Sequence, residues 1–136
     1  MILYYQWAFT QRPLMLEDEI KKWLNLGMDI GAHTKTHADL TIISEHEAYQ
    51  EINHCKADLE RRFKVVISDF CYPFGRFNDS VCRITKNSGY LTATTMTRGR
   101  ADFKSNVHKL PRIPITHHTL PHLFLAKILT NYEDKR

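Results

Sequence analysis

The 136-residue sequence has no apolar run near the ~20 residues that a membrane-spanning helix needs. Its opening, "MILYYQWAFTQRP", has no basic leading region. Gln6 interrupts its apolar stretch, and no small-residue cleavage site follows, so it does not read as a signal peptide. Either the chain stays where it is made, or an export signal lies upstream of Met1. The three cysteines, Cys55, Cys71 and Cys82, form no CxxC pair. Their odd number argues against a disulfide framework and for buried thiols. Repeats, low-complexity tracts and linkers are also missing, which leaves one domain over residues 1–136. Lys and Arg are scattered apart from "ERRFK" and "TRGR". The net charge of +4 therefore reads as solvated faces. A nucleic-acid surface would need a basic stripe with interleaved aromatics, and none is seen.

The segments that are present alternate in type. "ILYYQWAF" is rich in β-favouring residues and reads as a strand. Residues 14–26 put Leu16, Ile20, Trp23 and Leu24 on one helical face, with Gly27 suited to the left-handed position beyond the helix. "MDIGAH" reads as a short strand running into a loop. Ser44 and Glu47 form an S-x-x-E capping box for a helix over 44–63, whose stripe is Ala48, Ile52, Cys55 and Leu59. "VVISDFCY" predicts a strand buried on both faces, and "PFGRFND" a turn. Asn78 caps a helix carrying Val81, Cys82 and Ile84 that ends near Gly89. "YLTATTM" and "LPRIPI" are extended, and residues 120–130 form a last amphipathic helix. The alternation predicts parallel strands in an open sheet or part of a barrel. In both architectures function gathers at the C-terminal ends of strands. "HTKTH" and "YPFG" each follow a strand and are expected on one rim.

"GAHTKTHADL" holds His33 and His37 four residues apart. Two readings stand: ligands for zinc or a related ion, or surface and capping histidines in a loop. Thr34 is placed to hydrogen-bond the loop backbone and orient a ring. Asp39 reads as a cap of the next turn. His46, His54 and His108 read as surface residues, and "THHTLPH" adds His117, His118 and His122.

Four segments together resemble the NodB-type polysaccharide deacetylases, carbohydrate esterase family 4. "IGAHTKTHADLT" resembles the H-[ST]-x-x-H motif. "FCYPFGRFND" resembles the third motif in its F-x-Y-P-[YF]-G form, and "SGYLTATTMTRGR" the strand after it. "KLPRIPI" resembles the L-P-R-I segment of the poly-N-acetylglucosamine deacetylase-like branch. The likeness spans roughly residues 15–128. It implies an α/β fold, a deformed (β/α) barrel of the NodB type. The activity implied is metal-dependent removal of acetyl groups from N-acetylglucosamine-type polysaccharide, in the cell envelope or outside the cytoplasm. By resemblance His33 and His37 bind a divalent metal, most often zinc, and Thr34 stabilises their loop. The Phe74 backbone N–H becomes an oxyanion donor, and Tyr72, Pro73, Phe74 and Gly75 line the substrate groove. Arg112 is the arginine set near the catalytic aspartate.

The family's T-F-D-D motif, which carries the base and the third ligand, has no counterpart here. Residues 1–9 resemble the strand after it, so the barrel is expected to be partial, missing its first strand. An exposed sheet edge beside residues 2–8 is then expected to favour self-association. Cys71 stands where many members carry arginine and reads as packing. A non-catalytic relative that binds glycan or a partner protein is the alternative.

Overall fold

The computed structural model describes residues 14–134. Its longest helix, α2 (Glu45–Phe63), opens as its sequence dictates. The Glu47 N–H donates to Ser44 Oγ at 3.2 Å, and the Glu47 carboxylate accepts from the Ser44 N–H at 2.9 Å. Two donors that a helix start leaves open are thereby satisfied. Ala48, Ile52 and Cys55 point into the core, and Leu59 is partly covered beside them. The helix closes at Lys64, whose left-handed backbone (φ 58°) returns its N–H to Glu60 O at 2.9 Å.

Three short strands run parallel in the spatial order β1 (Asp69–Cys71), β2 (Thr92–Arg98), β3 (Leu110–Arg112). Asp69 pairs with Thr92, Cys71 with Thr94, and Thr94 with Leu110. On the far side of β1, Ala32 adds a parallel bridge to Phe70. Its N–H donates to Asp69 O at 2.8 Å, and its carbonyl accepts from Cys71 N–H at 2.9 Å. Chain order and spatial order therefore coincide across the sheet. Helix α1 (Glu17–Asn25) precedes the Ala32 segment, and α2 joins that segment to β1. Helix α3 (Asp79–Asn87) joins β1 to β2, and α4 (Pro121–Leu129) follows β3. The Asn78 side chain accepts from Val81 N–H at 2.9 Å and so caps α3. The result is an arc of parallel α/β sheet with helices between its successive segments. An aromatic cluster fills its core, with Phe70 set 5.3 Å from Tyr72 and 5.1 Å from Tyr90.

Three expectations need correction. The run "VVISDFCY" forms a strand only at Asp69–Cys71, and Val66 is 81% exposed. Upstream, α2 supplies the partners a sheet would have offered: Glu60 Oε1 accepts the Ile67 N–H at 3.1 Å, and Lys56 donates to the Ile67 carbonyl. With its backbone satisfied by side chains, the segment has no need of a ladder. Second, "MDIGAH" forms no strand and contributes only the Ala32 bridge; the apolar stripe of α1 before it is present, with none of its residues buried by the described chain. Third, the strand at "YLTATTM" is shifted two residues on, because Tyr90 is buried in the aromatic cluster with its hydroxyl on Ile52 O at 3.0 Å. The strand expected at residues 1–9 and the edge beside it lie outside the described residues.

Candidate functional site

Two loops leave the C-terminal ends of adjacent parallel segments. One carries His33 to His37 after Ala32, and the other carries Tyr72 to Arg76 after β1. Among the described residues four non-glycine residues have positive φ, and three lie in these loops: Thr34 (62°), His37 (61°) and Phe74 (57°). Left-handed backbone costs an L-residue roughly 1–2 kcal/mol, and for a β-branched threonine it is rarer still. Strain of this kind gathers where geometry serves function.

The rings meet. The His33 and His37 centroids lie 4.9 Å apart at 70°. His37 in turn meets the Phe74 ring edge-on at 4.6 Å. His33 Nδ1 is 2.7 Å from the Cys71 carbonyl. A carbonyl only accepts, so Nδ1 carries a proton, and in the neutral ring Nε2 is the nitrogen with the free lone pair. The Cys71 side chain raises the His33 pKa by hydrogen bonding, against the opposing effect of burial. The same contact lowers the Cys71 thiol. Cys71, expected as packing, is thus half-buried against a site residue.

Phe74 sits in a single 3-10 turn, Pro73–Gly75. Gly75 is required there: its φ is +66°, and an added Cβ would lie 2.5 Å from Met96 Cβ. The Gly75 and Arg76 N–H groups close the turn onto Tyr72 O and Pro73 O. Tyr72 and Pro73, expected along a groove wall, are buried instead. Tyr72 is fully buried and donates its hydroxyl to His108 O at 3.0 Å, and burial pushes its pKa up. The Phe74 ring is left half-exposed. Arg112 ends β3 with its Nε on Thr95 O at 2.7 Å, and its charge is felt at both His33 and Cys71.

Other expectations fare differently. Asp39 does cap its turn, accepting from the Thr41 N–H at 3.1 Å and the Thr41 hydroxyl at 2.6 Å. The Thr34 hydroxyl, expected to tie the loop, is buried with no hydrogen-bond partner. Glu51 ties the loop instead, accepting from the N–H groups of Lys35 and Thr36. Its sequence signal is only an acidic residue at the flank of a helix's apolar stripe. His108 is half-buried, with Nε2 on Tyr90 O at 3.0 Å, and is not a plain surface residue. His117 and His118 are exposed in a turn closed by Thr119 N–H on Thr116 O at 2.9 Å.

These residues partly fit a metal ion. Two imidazoles on one tetrahedral zinc, each N–Zn about 2.0–2.1 Å, hold their ring centroids about 5 Å apart, which is the spacing of His33 and His37. The Cys71 carbonyl behind His33 is the usual outer partner of a ligating histidine, and the orphaned Thr34 hydroxyl adds an unsatisfied polar atom to the same loop. Among the described residues no group of three His, Cys, Asp or Glu side chains converges, so a third protein ligand is not supplied by them.

A parallel α/β arc with a histidine loop and a strained Pro-Phe-Gly turn on one rim defines a barrel-type domain with a rim site. The polysaccharide deacetylase family model matches residues 4–93. The chain belongs to the polysaccharide deacetylase family. It is similar to the Streptococcus pyogenes deacetylase PplD, solved in complex with acetate, at 26% identity and TM-score 0.80, covering 83% of this chain and 50% of that one. It is similar to BC0361, a polysaccharide deacetylase from Bacillus cereus, at 30% identity and TM-score 0.75, covering 82% and 35%. YxkH of Bacillus subtilis (strain 168), which carries the name of a polysaccharide deacetylase, is 22% identical over 102 residues, 75% of this chain and 37% of its own length. The chain thus spans between about a third and a half of the length of these relatives.

Proposed function

We propose that the chain carries the histidine half of a metal-dependent deacetylase site acting on N-acetylglucosamine-type polysaccharide. The observation that supports this best is the contact chain His33–His37–Phe74, at 4.9 and 4.6 Å, on one rim of the sheet. His33 and His37 would hold a divalent ion, zinc above all. When bound, such an ion polarises the acyl carbonyl and activates water near neutral pH. The chain's own residues do the rest. The Cys71 carbonyl fixes the His33 tautomer. The Phe74 N–H donates to the oxyanion formed as the amide is attacked, a contact worth roughly 3 kcal/mol. Arg112 holds a positive charge felt at His33, and the Phe74 ring offers an apolar face to the sugar. Acetate, which PplD holds, is the expected product. The polymer substrate places the site of action in the cell envelope or beyond the cytoplasm. Among the described residues no helix is long and apolar enough to cross a membrane.

The absence of a third ligand among the described residues favours a second reading, a non-catalytic relative that binds glycan or a partner protein. Acetate release from N-acetylglucosamine oligomers with added zinc or cobalt decides between them. The enzyme reading expects release, once a strand carrying the missing base and third ligand is supplied, that a chelator stops and His33→Ala abolishes. Glycan binding without metal uptake or release would establish the second reading.

A further inference from the structure

Glu51 lies on α2, one turn after Glu47. Its carboxylate leaves the helix and meets the histidine loop 15 and 16 residues earlier in the chain. Oε2 accepts the Lys35 N–H at 2.9 Å and the Thr36 N–H at 2.8 Å. Oε1 accepts the Thr36 hydroxyl at 2.9 Å. Lys35 and Thr36 stand between the two histidines, and the residues flanking them, Thr34 and His37, both have left-handed backbone. A loop strained at both flanks keeps its shape only if something holds its middle. Hydrogen bonds to an ionised carboxylate are about twice as strong as neutral ones, and here one carboxylate makes three. It is also presented from a fixed base: Ile52, the next residue, is fully buried, as is Ala48 one turn before.

We propose that Glu51 is the positioning residue of the histidine loop, gripping the Lys35–Thr36 peptide so that the His33 and His37 rings serve one ion. Its metal consequence rests on the deacetylase reading above; its grip on the loop does not. Among the described residues no charge pair or helix cap competes for this side chain, and its hydrogen bonds there go to the loop.

The test compares the whole chain with Glu51→Ala, Glu51→Gln and, as a control on the same helix, Glu47→Ala. Two quantities are read. One is cobalt(II) affinity from the visible absorption of the bound ion. The other is hydrogen-exchange protection of the Lys35 and Thr36 amides in the metal-free chain. Glu51→Ala is expected to weaken cobalt binding by about 10–100-fold, as loss of an outer partner does, and to remove protection at both amides. Glu51→Gln, which keeps the shape and loses the charge, should fall between, and it carries the test if the alanine variant does not fold. Glu47→Ala should lower the unfolding temperature and leave both readings at the parent level. Unchanged protection in both Glu51 variants overturns the proposal. So does a cobalt loss in Glu47→Ala as large as that in Glu51→Ala, since that marks general destabilisation. A parent that takes up no cobalt overturns the metal reading alone. The exchange pattern then decides the role of Glu51: protection lost only on changing Glu51 upholds the grip, and protection retained refutes it.

Discussion

Arg76 Nη1 stands 2.6 Å from Asp39 Oδ2, joining the turn that presents Phe74 to the loop that presents His37. The pair is lopsided. The Arg76 side chain is 66% exposed and the Asp39 side chain 8%, and Asp39 also accepts from Thr41 through Oδ1. An exposed partner contributes little to an ion pair, typically under about 1 kcal/mol. Removing a nearly buried acceptor strands its donors, at about 1–3 kcal/mol. Urea unfolding of Arg76→Ala, Asp39→Ala and the double variant should therefore give a large loss for Asp39 and a coupling below about 1 kcal/mol. Equal losses for the two single variants would show that the ion pair, and not the Thr41 cap, holds this corner.

Gly75 meets a stricter demand. Its φ of +66° disfavours any side chain, and a Cβ there would lie 2.5 Å from Met96 Cβ and 2.6 Å from Met96 N. Gly75→Ala should cost about 1–3 kcal/mol from the backbone and a similar amount from overpacking. Because part of the clash is with backbone, Met96→Ala should not restore stability. A double variant as stable as the parent in thermal melts would place the obstruction in the Met96 side chain alone.

Local signals were legible in the sequence. Ser44 with Glu47 and Asn78 before α3 act within three residues, so spacing alone reveals them. The shared rim followed from parallel topology, which fixes where strand ends point. What stayed hidden depends on contacts far apart in the chain. Nothing near Glu51 shows that it faces Lys35 and Thr36, and nothing near Ile67 shows that Glu60 and Lys56 will take its peptide groups. Hydropathy marks the stripe on α1 as apolar but does not state what covers it. Tyr72 reads as a groove residue from its motif, yet its hydroxyl reaches His108 O from inside the core.

The capping box of α2 sets a pH dependence. The Ser44 side chain, and then its backbone N–H, hold the Glu47 carboxyl below its ordinary range. The unfolded value is about 4.3. A folded pKa below the unfolded one gives stability that is fully present above about pH 4.3 and is lost as pH falls through the folded value. Melts at pH 7, 5, 4 and 3 should show the parent above Glu47→Gln by a few degrees at neutral pH, with the gap closing in acid. A gap constant across the series would mean that the charge of Glu47 does not matter to the cap.

The sharpest prediction concerns what His33 and His37 need beside them. The described residues place two imidazoles together and no third ligand, whereas a catalytic zinc site holds three protein ligands and an open position. Among the described residues no carboxylate joins these rings to act as base, and loss of a base costs about 10²–10⁴-fold. The chain by itself should therefore bind zinc weakly and release acetate slowly or not at all. Supplying a strand that bears T-F-D-D, fused ahead of the chain or added as a separate polypeptide, should raise zinc affinity and acetate release together. Changing either aspartate of that strand to asparagine should undo the release, and changing the ligating one should also undo the affinity gain. If instead the chain alone gives brisk, chelator-sensitive release, the base and third ligand lie within its own residues. His117 and His118, whose rings already stand 3.7 Å apart, would then be the first to substitute.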